Sequence, residues 1–165
     1  MKKTFALITA AIALAGGSAQ AQTAAPAPAP QPPYAVGRIV TLAEAKTIAA
    51  ASEAEARKNG WTMVITILEP NGAPVFSEKM DGTQYGSTEV ALKKAQTSAN
   101  FRRPTSYFQD AVKAGTLNSI FSGATAIEGG ELLLVDGKII GAIGVSGGSG
   151  AQDGQVARAG AAVLK

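Results

Sequence analysis

The dipeptide Asp136-Gly137 stands between two apolar runs, 131–135 and 138–145. Asp-Gly suits a two-residue type I′ turn, whose central residues both need positive φ. The flanking runs are therefore expected to fold back on each other as antiparallel strands. A second hairpin signal lies upstream. Glu69-Pro70-Asn71-Gly72 presets the second turn position with Pro and supplies Gly where φ turns positive. It joins a β-branched run at 61–68 to a strand at about 74–80, which Asp81-Gly82 ends. In the first of these runs Trp61, Met63, Ile65 and Ile67 share one face, and Thr62, Val64, Thr66 and Leu68 the other. Both faces are largely apolar, which predicts a central strand or one covered on both sides.

Helices separate the hairpins. Thr41-Leu42-Ala43-Glu44 is a capping box, in which a hydroxyl and a carboxylate satisfy each other's orphan N–H groups. Leu42, Ala45, Ile48, Ala49 and Ala56 follow at helical spacing and Gly60 ends the run, predicting a helix over 41–59. Ser87 is placed to cap a helix through Val90, Ala91, Ala95 and Ala99 to Phe101, broken by Pro104. Thr105 or Ser106 is placed to cap a short third helix carrying Tyr107, Phe108 and Val112 and closed by Gly115. Residues 116–130 read as irregular. A glycine-rich loop at 144–150 leads to an alanine-rich helix over 153–164. The order is α-β-β-α-α-β-β-α. Hairpins without crossovers predict an α+β fold, an antiparallel sheet with helices packed on it.

The first residues read as an address. Lys2 and Lys3 precede an apolar run from Phe5 to Ala15, and Ala19-Gln20-Ala21 is an A-x-A cleavage site. This is the pattern of a secretory signal peptide, 1–21, and the run is shorter than the roughly 20 residues a spanning helix needs. The expectation is cleavage after Ala21, a periplasmic or secreted destination in a bacterium, and no membrane span in the mature chain. Residues 22–33 hold five of the eight prolines and read as an extended Ala/Pro-rich linker. The folded domain is expected over 34–165. Loss of Lys2 and Lys3 leaves 13 basic and 12 acidic residues, a net charge of +1 rather than +3. With no basic stripe interleaved with aromatics, nucleic-acid binding has no support.

Two zeros bound the chemistry. The 165 residues contain no histidine and no cysteine. No disulfide, thiolate zinc site, iron–sulfur cluster or His-ligated metal can form. Gly144-Val145-Ser146-Gly147-Gly148 spells the nucleophile elbow G-x-S-x-G, yet Ser146 has no histidine to act as base, and nothing in the spacing supports Lys94 or Lys138 instead. The same glycines suit either an anion cradle at a helix N-terminus or a tight turn needing positive φ. Glu128-Gly129-Gly130-Glu131 sets two carboxylates three apart, too few oxygens for a tight cation site. Arg102-Arg103 offers fork geometry to a carboxylate, or simply a solvated helix end.

Taken in order, several segments resemble one family. They are Thr41-Leu-Ala-Glu-Ala-Lys46, Asn59-Gly-Trp-Thr-Met-Val-Ile65, Lys79-Met-Asp-Gly82, Phe101-Arg-Arg-Pro-Thr105, Glu128-Gly-Gly130, the run from Val135 to Gly147, and Gln152-Asp153 with Ala157-Arg158-Ala-Gly160. Their order and spacing resemble the GlcG/HbpS-like haem-binding family, which also includes the C-terminal domain of PduO-type proteins. The resemblance implies a profilin-like sandwich that forms homo-oligomers, with haem or a related tetrapyrrole as small-molecule ligand and a sequestration or sensing role. It implies a cofactor-binding site drawn from Met80, Tyr85, Phe101, Arg102, Arg103, Thr105, Glu128, Gly129 and Gly130. This chain departs from any pattern in which histidine holds iron. The remaining axial groups are Tyr85, Tyr107, Met80, Met63, a lysine or an oxygen donor such as Thr105. In this scheme Arg102 or Arg103 meets the propionates, and Phe101 and Phe108 form apolar walls. Two other readings stand beside it. One is an organic-acid enzyme or metabolic accessory protein using Glu128, Arg103 and the 144–150 loop. The other is an oligomeric scaffold without ligand.

Overall fold

The computed structural model describes residues 34–117 and 123–164. The predicted signal peptide and linker lie outside them. Eight elements follow in the expected order: α1 (Leu42–Lys58), β1 (Val64–Leu68), β2 (Pro74–Lys79), α2 (Ser87–Phe101), α3 (Thr105–Lys113), β3 (Gly130–Val135), β4 (Lys138–Ser146) and α4 (Gly150–Ala161). The four strands form one sheet in the order β2-β1-β4-β3, and every neighbouring pair is antiparallel.

Both hairpins form where the turn chemistry asks for them. Asp136 and Gly137 have φ of 50° and 69°, as a type I′ turn requires. Central β1 is buried along its whole length, as its two apolar faces imply. Ile65 and Ile67 lie opposite Val145 and Ile143, and these four enter the main core with Leu133. That core packs against Ala45, Ile48, Ala49 and Ala56 of α1 and Val156 and Ala157 of α4. The opposite face carries α2, which runs almost on the strands themselves. A Cβ on Gly144 would lie 2.0 Å from the Ala91 carbonyl oxygen, and one on Gly130 would lie 2.5 Å from that of Lys94. Gly130 and Gly144 pair across β3 and β4, so the two form a trough in which the Ala91–Ala95 side of α2 rests.

Three helix starts differ from expectation. The Thr41–Glu44 capping box is present, with the Glu44 N–H donating to Thr41 Oγ1 at 3.2 Å. Ser87 lies inside α2, whose N-cap Gly86 has no side chain to contribute. Thr105 is the first residue of α3 behind Pro104, because its hydroxyl is engaged elsewhere. α4 begins at Gly150 rather than 153, capped by a second box, Ser149 with Gln152. The S-x-x-Q signature for it stands in the sequence, hidden at the end of a glycine-rich stretch. Among the described residues no helix is long and apolar enough to cross a membrane.

Candidate functional site

The turn between α2 and α3 builds a corner. Arg102 closes α2 in a left-handed conformation (φ 52°), sparsely populated for a residue with a Cβ. Among the described residues Asp136 is the other non-glycine with positive φ. The reversal at Arg102 lets Pro104 start α3 and brings aromatic rings together. Phe108 is buried. Phe101 meets it edge-on at 5.2 Å and Tyr107 at 5.3 Å between ring centroids. The Arg103 guanidinium lies over the Tyr107 ring, 4.5 Å from its centroid, a cation–π contact. Tyr107 is 43% exposed.

The 128–130 segment meets this corner from the sheet side. Thr105 is fully buried, and its Oγ1 accepts the Gly130 N–H at 2.8 Å. Gln109 accepts the Glu128 N–H at 3.1 Å. Seven of the predicted site residues, Phe101, Arg102, Arg103, Thr105, Glu128, Gly129 and Gly130, therefore belong to one neighbourhood. Met80 and Tyr85 do not join it within the chain. They precede α2, whose 15 residues span about 22 Å. Met80 is buried in the core, where its sulfur accepts the Met63 N–H at 3.4 Å. Tyr85 is 93% exposed beside Lys79. Two surface depressions, about 390 Å³ beside Arg38 and Val135 and about 300 Å³ beside Val36 and Pro70, are lined by none of these nine residues.

The motifs weighed against glycine turns now have partners. Arg158 lies between the two carboxylates of the E-x-x-E pair, 2.7 Å from Glu128 and 3.3 Å from Glu131. Burial pushes the Glu131 carboxyl up, and Arg158 opposes that shift. Burial also works against the Arg158 charge, but the two carboxylates outweigh it and hold its pKa above the ordinary range. A guanidinium thus occupies the place a hard cation would take. Among the described residues no group of three or more acidic, His or Cys side chains is placed to hold a metal. Ser146 is buried in the β1–β4 ladder opposite Val64. Beyond it, the Gly148 N–H donates to Asp153 at 2.9 Å and the Ser149 N–H to Gln152 at 2.9 Å. The Gly148 and Ser149 donors are taken by α4's own side chains rather than left open as an anion cradle, yet none of the glycines in 144–150 has the positive φ that a tight turn was expected to need. Gly147 is required by close approach instead, since a Cβ there would lie 2.2 Å from the Thr62 carbonyl oxygen.

Asp153 anchors a feature that the sequence reading missed. Lys94 on α2 and Asp153 on α4 form an ion pair at 2.6 Å at the end of the sheet, both side chains at most 3% exposed. Lys94 Nζ also donates to the Val145 carbonyl at 3.1 Å. Burial raises the Asp153 carboxyl, while Lys94 and the Gly148 and Gly147 N–H groups lower it. Gly129, at φ +124°, leaves room for the pair. A Cβ there would lie 2.7 Å from Asp153 Cβ and 2.8 Å from Lys94 Nζ. A signal did exist, since Lys94 falls on the small-residue stripe of α2 between Ala91, Ala95 and Ser98.

Comparison with known proteins adds three likenesses. Protein GlcG of Escherichia coli strain K12 is 39% identical over 103 residues, covering 62% of this chain and 77% of GlcG. The crystal structure of a double mutant of Streptomyces reticuli HbpS aligns with a TM-score of 0.71 and 31% identity, covering 86% of this chain and 98% of that one. A crystal structure of PduOC in complex with haem aligns with a TM-score of 0.70 and 25% identity, covering 77% and 96%. The family model described as "Haem degrading protein HbpS-like" matches residues 40–162. By sequence and by fold, the chain belongs to the HbpS-like family.

Proposed function

We propose that the mature protein binds haem or a related tetrapyrrole at the α2–α3 corner, in the periplasm or outside the cell, as a sequestering or sensing protein that works as a homo-oligomer. The observation that carries this reading is the corner itself. Apolar rings (Phe101, Phe108) lie beside a half-exposed tyrosine and two arginines, held against 128–130 by the Thr105–Gly130 hydrogen bond. The donor set suits a ferric porphyrin. The half-buried Phe101 ring offers apolar surface while Phe108 is buried behind it and backs the corner rather than walling a ligand, guanidinium forks pair with propionates, and a phenol is an accepted iron ligand in a chain without histidine or cysteine. Haem bound there supplies a redox-active iron, and the protein's part is to orient the macrocycle and limit water. The family description and the haem complex of PduOC support the choice of ligand.

Haemin titrated into the purified protein tests it. A saturable Soret shift that weakens in Arg103→Ala is the expected result. A folded protein that leaves the haemin spectrum unchanged would overturn the proposal. Following the Soret band with time in the presence of a reductant separates holding from degradation. A stable band fits sequestration or sensing, and progressive loss fits an enzyme.

A further inference from the structure

We infer that the Tyr107 phenolate is the group through which this chain holds the iron, an inference that rests on the haem reading. The protein side chains that most often serve as axial ligands to haem iron are His, Cys, Met and Tyr. The sequence has none of the first two and three each of Met and Tyr. Of the lysines, the two on α2 are already engaged, Lys94 buried against Asp153 and Lys93 paired with Glu89. Met1 falls in the predicted signal peptide. Met63 is fully buried, and Met80 is buried with its sulfur turned to the Met63 backbone. Tyr85 lies a full length of α2 from the corner. Tyr34 is at the wrong end of the sheet. Its neighbour Ala35 accepts the Ile139 N–H, while Gly130 pairs with Gly144 five residues further along β4, about 17 Å away.

Tyr107 alone among these six is both at the corner and open to solvent. Its backbone is fixed in the first turn of α3, where its N–H donates to the Pro104 carbonyl. Its ring is fixed on two sides, by the Phe108 edge and by the Arg103 guanidinium. The hydroxyl has no hydrogen-bond partner among the described residues. A phenol held by its ring, its oxygen uncommitted among the described residues, needs little reorganisation to bind a metal. Thr105, the other oxygen donor of the corner, is instead fully buried and committed to Gly130.

The test uses two probes on the full mature chain and on Tyr107→Phe and Tyr85→Phe. Metal-free protoporphyrin IX reports binding at the corner without iron. Haemin, read by absorption and by resonance Raman of phenolate modes, reports the ligand. Tyr107→Phe is expected to bind protoporphyrin as the unsubstituted protein does, to lose the phenolate signature, and to bind haemin about tenfold or more weakly. Tyr85→Phe is expected to change neither. A haemin spectrum unchanged in Tyr107→Phe, or a phenolate signature that disappears in Tyr85→Phe, would overturn the assignment and leave the haem reading intact. If the unsubstituted protein binds protoporphyrin but shows no shift with haemin, the assignment fails and the site is one for iron-free tetrapyrroles. Binding of neither probe overturns both.

Discussion

Replacing Lys94 by Met exposes how the buried ion pair works. Lys94 and Asp153 are both shut off from water, and the Nζ makes two hydrogen bonds, to Asp153 at 2.6 Å and to the Val145 carbonyl at 3.1 Å. Met fills nearly the same volume, so packing changes little and the perturbation is mainly electrostatic. Removing one partner of a buried pair costs about 3–5 kcal/mol, because the other charge is left without compensation. Asp153 keeps the Gly148 N–H at 2.9 Å, which places the expected loss at the lower end, about 3 kcal/mol. That is a large part of the roughly 5–15 kcal/mol a domain holds, and corresponds to a fall in Tm of about 10 °C. The pH dependence has a definite sign. Burial already raises the folded-state pKa of Asp153 above 3.8, and loss of Lys94 raises it further. A carboxyl whose folded pKa is raised favours the native state when protonated and disfavours it as pH rises through that pKa. The deficit of Lys94→Met therefore shrinks as the pH falls from neutral toward the ordinary Asp range. Urea unfolding of Lys94→Met, Asp153→Asn and the double variant, at neutral and at acid pH, measures all of this. The double variant should recover much of the loss, since it buries no charge and an Asn oxygen can still accept the Gly148 N–H. A loss below about 1 kcal/mol in Lys94→Met, the range of exposed pairs, would refute the reasoning. So would a double variant less stable than Lys94→Met alone.

Three further outcomes are expected. Gly144→Ala forces α2 off the sheet, because its Cβ would meet backbone at 2.0 and 2.5 Å. The Tm should drop by an amount equal to about 3 kcal/mol or more, while Gly86→Ala, with open space around it, stays near neutral. Thr105→Val strands the buried Gly130 N–H and should lower the unfolding free energy by about 1–3 kcal/mol in a urea titration, with Thr105→Ser restoring most of it. Glu44→Ala removes the capping box and the Arg38 pair for about 1 kcal/mol, since both groups are largely solvated. Hydrogen bonds from Arg38 and from the Thr41 N–H hold the Glu44 carboxyl down at about 2 from 4.5. Its contribution is thus complete above about pH 4.5 and lost as pH falls toward 2, so thermal melts of the variant and the unsubstituted protein should converge over that window.

Local signals carried much of the fold. A capping box, a Pro-Asn-Gly turn and an Asp-Gly turn each act within a few residues, and the structure contains all three. The strand order β2-β1-β4-β3 has no local cause. It comes from matching Ile65 to Val145 and Ile67 to Ile143 across some 80 residues of chain. The candidate site divides the same way. Phe101 to Thr105 is one contiguous break and reads directly. Its meeting with Gly130 depends on a hydroxyl reaching across 25 positions. Arg158, which fills the E-x-x-E pair, is 27 and 30 positions from its partners, and Lys94 is 59 from Asp153. A lysine on an apolar helix face marks the existence of such a partner without naming it. Met80, named by the resemblance, follows directly on β2, where the sequence alone does not tell a core position from a site position, and it is buried in the core.

The glycine trough under α2 bears on how a chain with only 5% aromatic residues is held together. Large core side chains bring apolar area at the expense of rotamer freedom, up to about 1 kcal/mol for a buried Leu or Ile. Ala91, Ala95 and Ala99 lie against the sheet with no χ angle to freeze, and Gly130 and Gly144 have no side chain at all. The loss of freedom falls instead on the two glycine backbones, which surrender more conformational choice on folding than any other residue. Attraction between helix and strand is then mainly dispersion between main-chain atoms at close range, whose depth depends on separation rather than on side-chain identity. The spacing of α2 from the sheet is accordingly set by contact between backbones, and the corner that α2 carries at its end inherits a position that side-chain rearrangement in the core can alter very little.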